Sequence, residues 1–183
     1  MKSKLLILDL DETLIFASAQ LLDSSPFDFR VGPYYLYERP SLRPFLKTCL
    51  EWFDVAIWTS SSPTYASEIV SALFKEDEKN LVFVWASDRC TLAFDPECCE
   101  HYWRKNLIKV RRRSQRKLES VIVVDDTPEK WEQSYGNLIR VTPFEGDTAD
   151  DELVHLLRYL DTLRHEENIR TVEKRNWRQQ THK

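Results

Sequence analysis

Two aspartates near the start of the chain, Asp9 and Asp11, have the spacing of a reactive pair. They follow an apolar run at residues 5–8, which is typical of a buried strand. Because side chains alternate along an extended chain, carboxylates two residues apart point the same way. Two neighbouring carboxylates resist ionising together unless a cation lies between them. The pair therefore suits a divalent cation and a reacting phosphate better than a purely structural turn.

Further reactive side chains follow at later points of the chain. Thr59 and Ser60 end a second apolar run, and their hydroxyl and amide groups suit the oxygens of a phosphate. Asp125 and Asp126 end another apolar run, and Lys105 lies between these two runs in the sequence. Ligands of parallel α/β sheets bind at the carboxyl ends of the strands. We therefore expect all these side chains to meet at one edge of a sheet.

These residue types favour phosphoryl transfer through a covalent aspartyl-phosphate. Asp9, nearest the strand, is the predicted nucleophile. Asp11 is the predicted acid that protonates the leaving oxygen and then the base that activates water. Mg²⁺ prefers oxygen ligands, which Asp9, the backbone carbonyl of Asp11 and a carboxylate of Asp125 or Asp126 would supply. The residues predicted to bind phosphate are Thr59, Ser60 and Lys105.

Each of these residues also has a plain structural interpretation. Aspartates at a strand end commonly form turns or cap helices, as Asp125 and Asp126 could. Thr59 and the serines after it could cap the next helix, and a single lysine such as Lys105 is usually solvated. The occurrence of all these groups in order, mostly at strand ends, favours the catalytic interpretation.

Composition limits the class of protein. The chain has 183 residues, 42% of them hydrophobic, which is enough for one filled core and one domain. A net charge of −4 gives no general attraction to nucleic acid. The four cysteines lack paired spacing, and the three glycines cannot form a glycine-rich phosphate loop. With no apolar run long enough for a signal peptide or membrane span, we expect a soluble intracellular protein of the cytoplasm or nucleus.

The pattern of apolar residues predicts the elements that position the site. Strand candidates lie at residues 5–8, 55–58, 82–85, 121–124 and 138–141. Helical spacing marks residues 42–52 and 65–74, and a last helix is predicted to start at Thr148, with Asp151 completing a capping box. Strands that are apolar throughout indicate a mostly parallel sheet covered on both faces. The predicted fold is a Rossmann-like, doubly wound α/β domain.

Two segments fall outside this alternation. Residues 15–39 predict a small hairpin insertion after the first strand, with the turn at Gly32 and Pro33. After about residue 165 the apolar pattern fades, with Trp177 as the single large apolar residue. We therefore predict a domain at residues 1–165 and a polar tail at 166–183. This tail is a frayed end or a docking strip, and the composition favours the frayed end.

Taken together, these motifs resemble the haloacid dehalogenase (HAD) superfamily of aspartate-based phosphotransferases. More narrowly, they resemble its branch of carboxy-terminal-domain phosphatases and NLI-interacting-factor-like phosphatases. The matching motifs are Asp-Leu-Asp-Glu-Thr-Leu at residues 9–14, Arg-Pro and Phe-Leu at 39–46, Thr59, Lys-Asn-Leu at 105–107 and Asp-Asp-Thr-Pro at 125–128. The resemblance covers about residues 4–165.

The resemblance implies a HAD-like fold without a large cap domain and Mg²⁺-dependent dephosphorylation through Asp9. It favours Asp126 over Asp125 as the direct metal ligand, with Asp125 holding Lys105. Many members act on phosphoserine or phosphothreonine, so the expected partner is a phosphorylated protein or peptide. The chain departs from the family pattern at Asn106, where aspartate is usual, and over most of residues 88–103.

Two alternatives remain open. The same chemistry could act on a small phosphorylated metabolite or a nucleic-acid 3′-phosphate end, the latter supported only by the basic run at residues 104–117. The chain could also be a catalytically silent binding module, since the branch includes a mitochondrial import receptor subunit. The complete set of reactive side chains argues against the silent module, and neither a membrane nor a nucleic-acid partner is expected.

Overall fold

The computed structural model describes residues 2–23, 26–95 and 99–180. The strands are β1 (Leu5–Leu8), β2 (Ile15–Ser18), β3 (Phe29–Val31), β4 (Tyr34–Glu38), β5 (Asp54–Trp58), β6 (Val84–Trp85), β7 (Thr91–Asp95), β8 (Glu100–Arg104), β9 (Val121–Asp125) and β10 (Leu138–Arg140). The α-helices are α1 (Leu42–Trp52), α2 (Pro63–Phe74), α3 (Leu107–Ser114), α4 (Glu152–Leu163) and α5 (Trp177–Gln180). A 3₁₀ segment covers Pro128–Asn137 and is interrupted at Trp131 and Ser134, whose backbone angles are not helical.

A five-stranded sheet in the order β10-β9-β1-β5-β6 forms the centre of the fold, and all its pairings are parallel. Strand β1 is completely buried because it pairs with β5 on one side and β9 on the other. Its side chains alternate between two apolar clusters. Leu6 and Leu8 face the layer of α1, α2 and α4, while Leu5 and Ile7 face the layer of α3 and Trp131. The predicted doubly wound sheet is confirmed.

Two antiparallel elements flank the central sheet. Strands β2, β4 and β3 form a three-stranded sheet between β1 and α1, which confirms the predicted hairpin insertion. Strands β7 and β8 form a second hairpin, which the sequence interpretation did not predict. The part of the chain that the structure describes contains no large cap domain, as the resemblance implied.

Arg39 ties the three-stranded insertion to the rest of the domain. This buried guanidinium donates from Nε and Nη2 to the two carboxylate oxygens of Asp150, at 2.8 and 2.7 Å. It also donates to the carbonyl oxygens of Thr13 at 3.1 Å and Thr142 at 2.9 Å. A bidentate pair of this kind fixes orientation as well as distance. The turn after β1 is therefore held against the segment before α4.

The predicted start of the last helix at Thr148 is wrong, since α4 begins at Glu152. Asp151 is its N-cap residue but makes no side-chain cap bond. Instead, the carboxylate of Asp150, already held by Arg39, accepts the backbone N–H of Glu152 at 3.0 Å. The predicted strand at residues 82–85 is also shorter, since regular strand geometry is limited to Val84–Trp85.

The predicted frayed end is wrong for residues 169–180. Ile169 and Trp177 are buried in the main apolar cluster, because they cover the edge formed by α4 and β10. The indole Nε1 of Trp177 donates to the carbonyl oxygen of Arg140 at 2.7 Å, and its ring lies 5.7 Å from that of Tyr159.

Across the described residues, every helix is too short or too polar to cross a membrane.

Candidate active site

Asp9 lies directly after β1, at the carboxyl edge of the central sheet. Its backbone N–H donates to the carbonyl oxygen of Val124 at 3.0 Å, so the parallel pairing with β9 continues up to this residue. Only 2% of Asp9 is exposed to solvent. The chain then turns back through Glu12, whose φ of 58° lies in the left-handed region. This turn ends the strand and leaves the Asp9 carboxylate in the interior.

Two aspartates and two lysines alternate in a closed charge ring, made of Asp9, Lys105, Asp125 and Lys130. Nζ of Lys105 lies 3.0 Å from Oδ1 of Asp9 and 2.6 Å from Oδ2 of Asp125. Nζ of Lys130 lies 3.4 Å from Oδ2 of Asp9 and 3.8 Å from Oδ1 of Asp125. Each carboxylate thus faces one lysine with each of its oxygens. Such pairing offsets much of the cost of burying the charges.

Two members of the charge ring, Asp9 and Lys130, have raised pKa values for different reasons. Burial and the neighbouring charge of Asp125 raise the pKa of Asp9, although Lys105 and Lys130 act against this rise. Burial opposes the charge of Lys130, but the carboxylates of Asp9, Asp125 and Asp126 outweigh it and raise the Lys130 pKa. Lys130 therefore remains an ammonium group throughout the physiological pH range.

Asp125 is already saturated by donors from the protein. Its Oδ2 accepts from Lys105 and, at 2.7 Å, from the indole Nε1 of buried Trp131. Its Oδ1 accepts the backbone N–H of Thr127 at 2.9 Å. This geometry matches the implied role of Asp125 as the residue that holds Lys105.

Asp126 has weaker partners and lies in the only cluster of candidate metal ligands among the described residues. Its oxygens accept from the hydroxyls of Thr13 at 3.2 Å and Thr127 at 2.8 Å. Carboxylate oxygens of Asp9, Asp125 and Asp126 all lie within 4.8 Å of one another. Oδ1 of Asp9 is buried and accepts no hydrogen bond among the described residues, although Lys105 pairs with it. Oxygen donors of this kind fit Mg²⁺.

The Asp11 carboxylate is held outside this cluster. Its Oδ2 accepts from the hydroxyl of Ser61 at 2.6 Å, and its Oδ1 accepts from the phenol of Tyr65 at 2.7 Å. Burial raises the pKa of Asp11, while the two hydrogen bonds lower it. The two hydrogen bonds thus fix the orientation of the Asp11 carboxylate, two residues after the predicted nucleophile.

Thr59 and Ser60 follow β5, which lies next to β1, so the structure brings them to the same sheet edge. Thr59 is buried, and its Oγ1 accepts the backbone N–H of Ser61 at 3.0 Å. The Ser60 hydroxyl oxygen is enclosed, so only the backbone of Ser60 could face a phosphate. Six of the seven residues predicted from the sequence lie at the carboxyl edge of the central sheet or in the turn directly after it. The seventh, Lys105, lies between β8 and α3, and its ammonium reaches this edge at Asp9 and Asp125.

Sequence reasoning missed three residues that complete this arrangement: Tyr65, Lys130 and Trp131. It placed Ser61 beside the phosphate or in a helix cap, whereas the structure shows its hydroxyl bonded to Asp11. Lys130 and Trp131 lie in the 3₁₀ segment at the end of the Asp-Asp-Thr-Pro motif. No helical or strand periodicity in this segment indicates which side chains point into the site. Tyr65 lies in the first turn of α2, which Ser62 caps through a 3.3 Å bond to the Tyr65 amide. That capping serine and Pro63 were the available signals for the helix start that aims Tyr65 at Asp11.

Comparisons with known proteins show the family of the chain. The family model for NLI interacting factor-like phosphatases matches residues 4–170. The "Probable C-terminal domain small phosphatase" of Dictyostelium discoideum is 30% identical over 94% of this chain and 55% of that protein. The human "CTD small phosphatase-like protein" is 27% identical over 91% of this chain and 58% of that protein. The Xenopus laevis "CTD nuclear envelope phosphatase 1" is 27% identical over 97% of this chain and 74% of that protein.

Solved structures support the fold. The fission yeast RNA polymerase II CTD phosphatase Fcp1 bound to beryllium fluoride matches with a TM-score of 0.59 and 24% identity, over 82% of this chain and 44% of that chain. A haloacid dehalogenase-like hydrolase of Streptococcus pneumoniae matches with a TM-score of 0.55 and 14% identity, over 86% of this chain and 98% of that chain. This chain spans little more than half the length of the Dictyostelium and human relatives. Residues 4–170 match the family model, and the chain belongs to the NLI interacting factor-like phosphatase family.

Proposed function

We propose that the protein is a Mg²⁺-dependent phosphatase that forms an aspartyl-phosphate on Asp9 and hydrolyses phosphoserine or phosphothreonine in proteins. The observation that carries this proposal is the buried Asp9 carboxylate in the charge ring, with Asp11 fixed two residues later. The family membership supports the same reaction class. A catalytically silent module would have no need to bury the charges of Asp9, Lys105 and Asp125 at a cost in desolvation.

The reaction has two steps that use the same two aspartates. In the first, an oxygen of Asp9 attacks phosphorus while the bond from phosphorus to the substrate oxygen breaks, and Asp11 donates its proton to that leaving oxygen. In the second, water attacks the phosphorus of the aspartyl-phosphate, Asp11 accepts a proton from this water, and inorganic phosphate leaves with Asp9 restored. Lys105 balances the charge that the phosphoryl oxygens carry throughout.

We propose Asp9, Asp126 and the backbone carbonyl of Asp11 as the protein ligands of Mg²⁺. Asp125 is excluded as the main ligand because Lys105, Trp131 and Thr127 already use its oxygens. When bound, Mg²⁺ would neutralise charge, so that an anionic carboxylate can approach an anionic phosphate. The acidic cluster supports this assignment. The sequence analysis predicted the same ligands, with either Asp125 or Asp126 supplying the last carboxylate.

A protein substrate is favoured by the surroundings of Asp11. A cavity of about 320 Å³ is lined by Tyr34, Ser61, Ser62 and Tyr65, so the two hydrogen-bond partners of Asp11 form part of its wall. No cap domain covers it among the described residues, which leaves room for an extended peptide. The relatives named as CTD phosphatases support a phosphorylated polypeptide, and the relative named as a nuclear envelope phosphatase supports a place of action in or near the nucleus.

The test is hydrolysis of an aryl phosphate and of a panel of phosphopeptides, each with Mg²⁺ or with excess EDTA. We expect Mg²⁺-dependent turnover by the wild type and a loss of at least about 10⁴-fold in Asp9→Asn, as for other nucleophile removals. Asp77→Asn makes the same change at an exposed position and should keep full activity.

Each alternative has its own outcome in this test. Turnover of small phosphorylated metabolites without any phosphopeptide activity would contradict a protein substrate. Release of phosphate from nucleic-acid 3′ ends alone would indicate the nucleic-acid version. The silent module would be favoured if the wild type showed no Mg²⁺-dependent turnover of any of these compounds.

A further inference from the structure

Lys130 is the one member of the charge ring for which the proposed reaction has no use. Its ammonium lies 3.4 Å from Asp9 Oδ2 and 3.8 Å from Asp125 Oδ1. These two aspartates, with Asp126, also make up the candidate metal cluster. The positive end of Lys130 therefore occupies the same negative field that would attract a divalent cation.

The two lysines of the ring are held very differently. Lys105 is fully buried and lies 2.6 and 3.0 Å from its two carboxylates. The Lys130 side chain is 22% exposed, and both its contacts are longer than a normal hydrogen bond to a carboxylate. Lys105 is therefore a fixed part of the site, whereas the Lys130 ammonium can reach water by rotation of its own flexible side chain.

The backbone of Lys130, in contrast, is fixed. Its carbonyl oxygen accepts the backbone N–H of Lys105 at 2.8 Å, and its own N–H donates to the carbonyl oxygen of Thr127 at 3.3 Å. The next residue, Trp131, is buried and bonded to Asp125. Any exchange at this position is thus confined to the four-carbon side chain of Lys130.

An ammonium group and Mg²⁺ cannot share this position. Mg²⁺ needs the lone pairs of Asp9 and Asp126, and an ammonium group offers only donors. Two cations within about 4 Å repel each other strongly in a site partly removed from water. A Mg²⁺ ion held by Asp9 and Asp126 would therefore compete with the Lys130 ammonium for Asp9.

We propose that Lys130 is a tethered counter-ion, which fills the cation position of the carboxylate cluster in the metal-free protein and swings into solvent when Mg²⁺ binds. The inference rests on the proposed Mg²⁺ site. It assigns Lys130 a role in setting the Mg²⁺ affinity of the protein, separate from the steps at Asp9 and Asp11. The free energy of the Lys130–Asp9 contact that is lost on binding makes the free energy of metal binding less favourable by the same amount.

The first measurement is calorimetric titration of Mg²⁺ into the metal-free full chain, without substrate. Lys130→Met removes the competing charge and should bind Mg²⁺ at least about tenfold more tightly than the wild type. Lys47→Met removes the same charge from an exposed position on α1 and should bind as the wild type does. Equal Mg²⁺ affinity in Lys130→Met and the wild type would overturn the proposal.

The second measurement uses the wild type alone, so it stands even if Lys130→Met folds poorly. Amine labelling with acetic anhydride is followed at Lys130 by mass spectrometry, with and without Mg²⁺, and normalised to Lys47. We expect Mg²⁺ to increase labelling of Lys130 severalfold, because the displaced ammonium enters water. A long-range electrostatic effect without displacement would leave the labelling unchanged and would contradict the proposal.

The two proposals fail separately. Mg²⁺-dependent hydrolysis of the aryl phosphate by the wild type, together with unchanged Lys130 labelling, would overturn the counter-ion and leave the phosphatase intact. Increased labelling with Mg²⁺ but no hydrolysis would support the counter-ion and contradict the catalytic function. Absence of Mg²⁺ binding in both the wild type and Lys130→Met would overturn the counter-ion proposal directly.

Discussion

Two buried lysines lie in different regions of the molecule, and what each faces decides what it does. Lys105, at the carboxyl edge of the sheet, faces the carboxylates of Asp9 and Asp125. Lys174, in the C-terminal segment, donates to three backbone carbonyl oxygens instead, those of Gly136, Ile169 and Val172. Burial lowers the pKa of Lys174 to about 8, because carbonyl dipoles replace its lost hydration only in part.

The comparison shows that the same side chain can serve chemistry or folding. At the sheet edge, Lys105 holds a buried anion ready for reaction and belongs to a network of opposite charges. In the C-terminal segment, Lys174 donates to backbone carbonyl groups that lie outside helices and strands. Burying its charge there costs free energy, because no carboxylate pairs with it among these contacts. We therefore expect changes at the sheet edge to act on activity and stability together, and changes in the C-terminal segment to act on stability alone.

The largest effect is expected for Lys105→Met. Removing one partner of a buried ion pair costs about 3–5 kcal/mol, and Asp9 and Asp125 would lose the nearer of their two lysines. Loss of the charge opposite the phosphoryl group should also lower kcat about 10²–10³-fold. Urea unfolding and aryl phosphate hydrolysis measure the two effects, with Lys47→Met as the exposed control.

A double variant tests whether the ring acts as a unit. In Lys105→Met with Asp125→Asn, one negative charge leaves together with the positive one. We expect the double variant to be more stable than the sum of the two single changes predicts, by about 1 kcal/mol or more. Additive losses would show that Lys105 and Asp125 contribute independently.

Trp177→Ala should affect stability strongly and chemistry little. Truncating a buried tryptophan costs about 3–5 kcal/mol, and Trp177 is only 4% exposed. Trp103→Ala makes the same change at a side chain that is 40% exposed, where we expect a cost of at most about 1 kcal/mol. If the two variants lost equal free energy of unfolding, the C-terminal segment would not be the integral part of the core described above.

Tyr65→Phe removes one of the two hydrogen bonds that direct the Asp11 carboxylate. Hydrogen bonds to a charged group contribute about 1.5–3 kcal/mol, so we expect kcat to fall at least about tenfold while KM changes less. Tyr135→Phe is the matched control, since Tyr135 is 56% exposed and lies outside the site. Ser61→Ala should give a fall of similar size, and a fall in neither variant would mean that Asp11 needs no orientation.

Lys174→Met should have the smallest effect on activity, and the part of its effect on stability that comes from the lysine charge should change with pH. Between pH 8 and 10.5 the unfolded lysine, with its usual pKa of 10.5, binds more protons than the folded one, whose pKa is about 8. The free energy of unfolding contributed by Lys174 therefore rises with pH across this window. Urea unfolding from pH 7.5 to 10.5 should show this rise in the wild type and a weaker one in Lys174→Met. Identical slopes would indicate that the carbonyl groups keep Lys174 charged.

The sequence predicted the central part of this architecture because the site lies where strands end. Asp9, Thr59 and Asp125 each follow an apolar run, so the sheet periodicity alone places them on one edge. Lys130 has no such marker, because it follows the strand in a 3₁₀ segment whose path is set by Trp131 and Asp125. Burial of Trp177 depends on the surfaces of α4 and β10, which no local pattern reveals.

The position of Asp9 on the central strand also has a consequence for folding. Its partners in the charge ring follow it by about a hundred residues, and the contact with Lys130 spans 121. Contacts so distant in sequence form late, since the loops between them must close first. A partly folded chain therefore lacks the complete charge ring, and during synthesis the edge of β1 that pairs with β9 stays unpaired until β9 has emerged. We therefore expect the proposed catalytic activity to appear only once the whole domain has assembled.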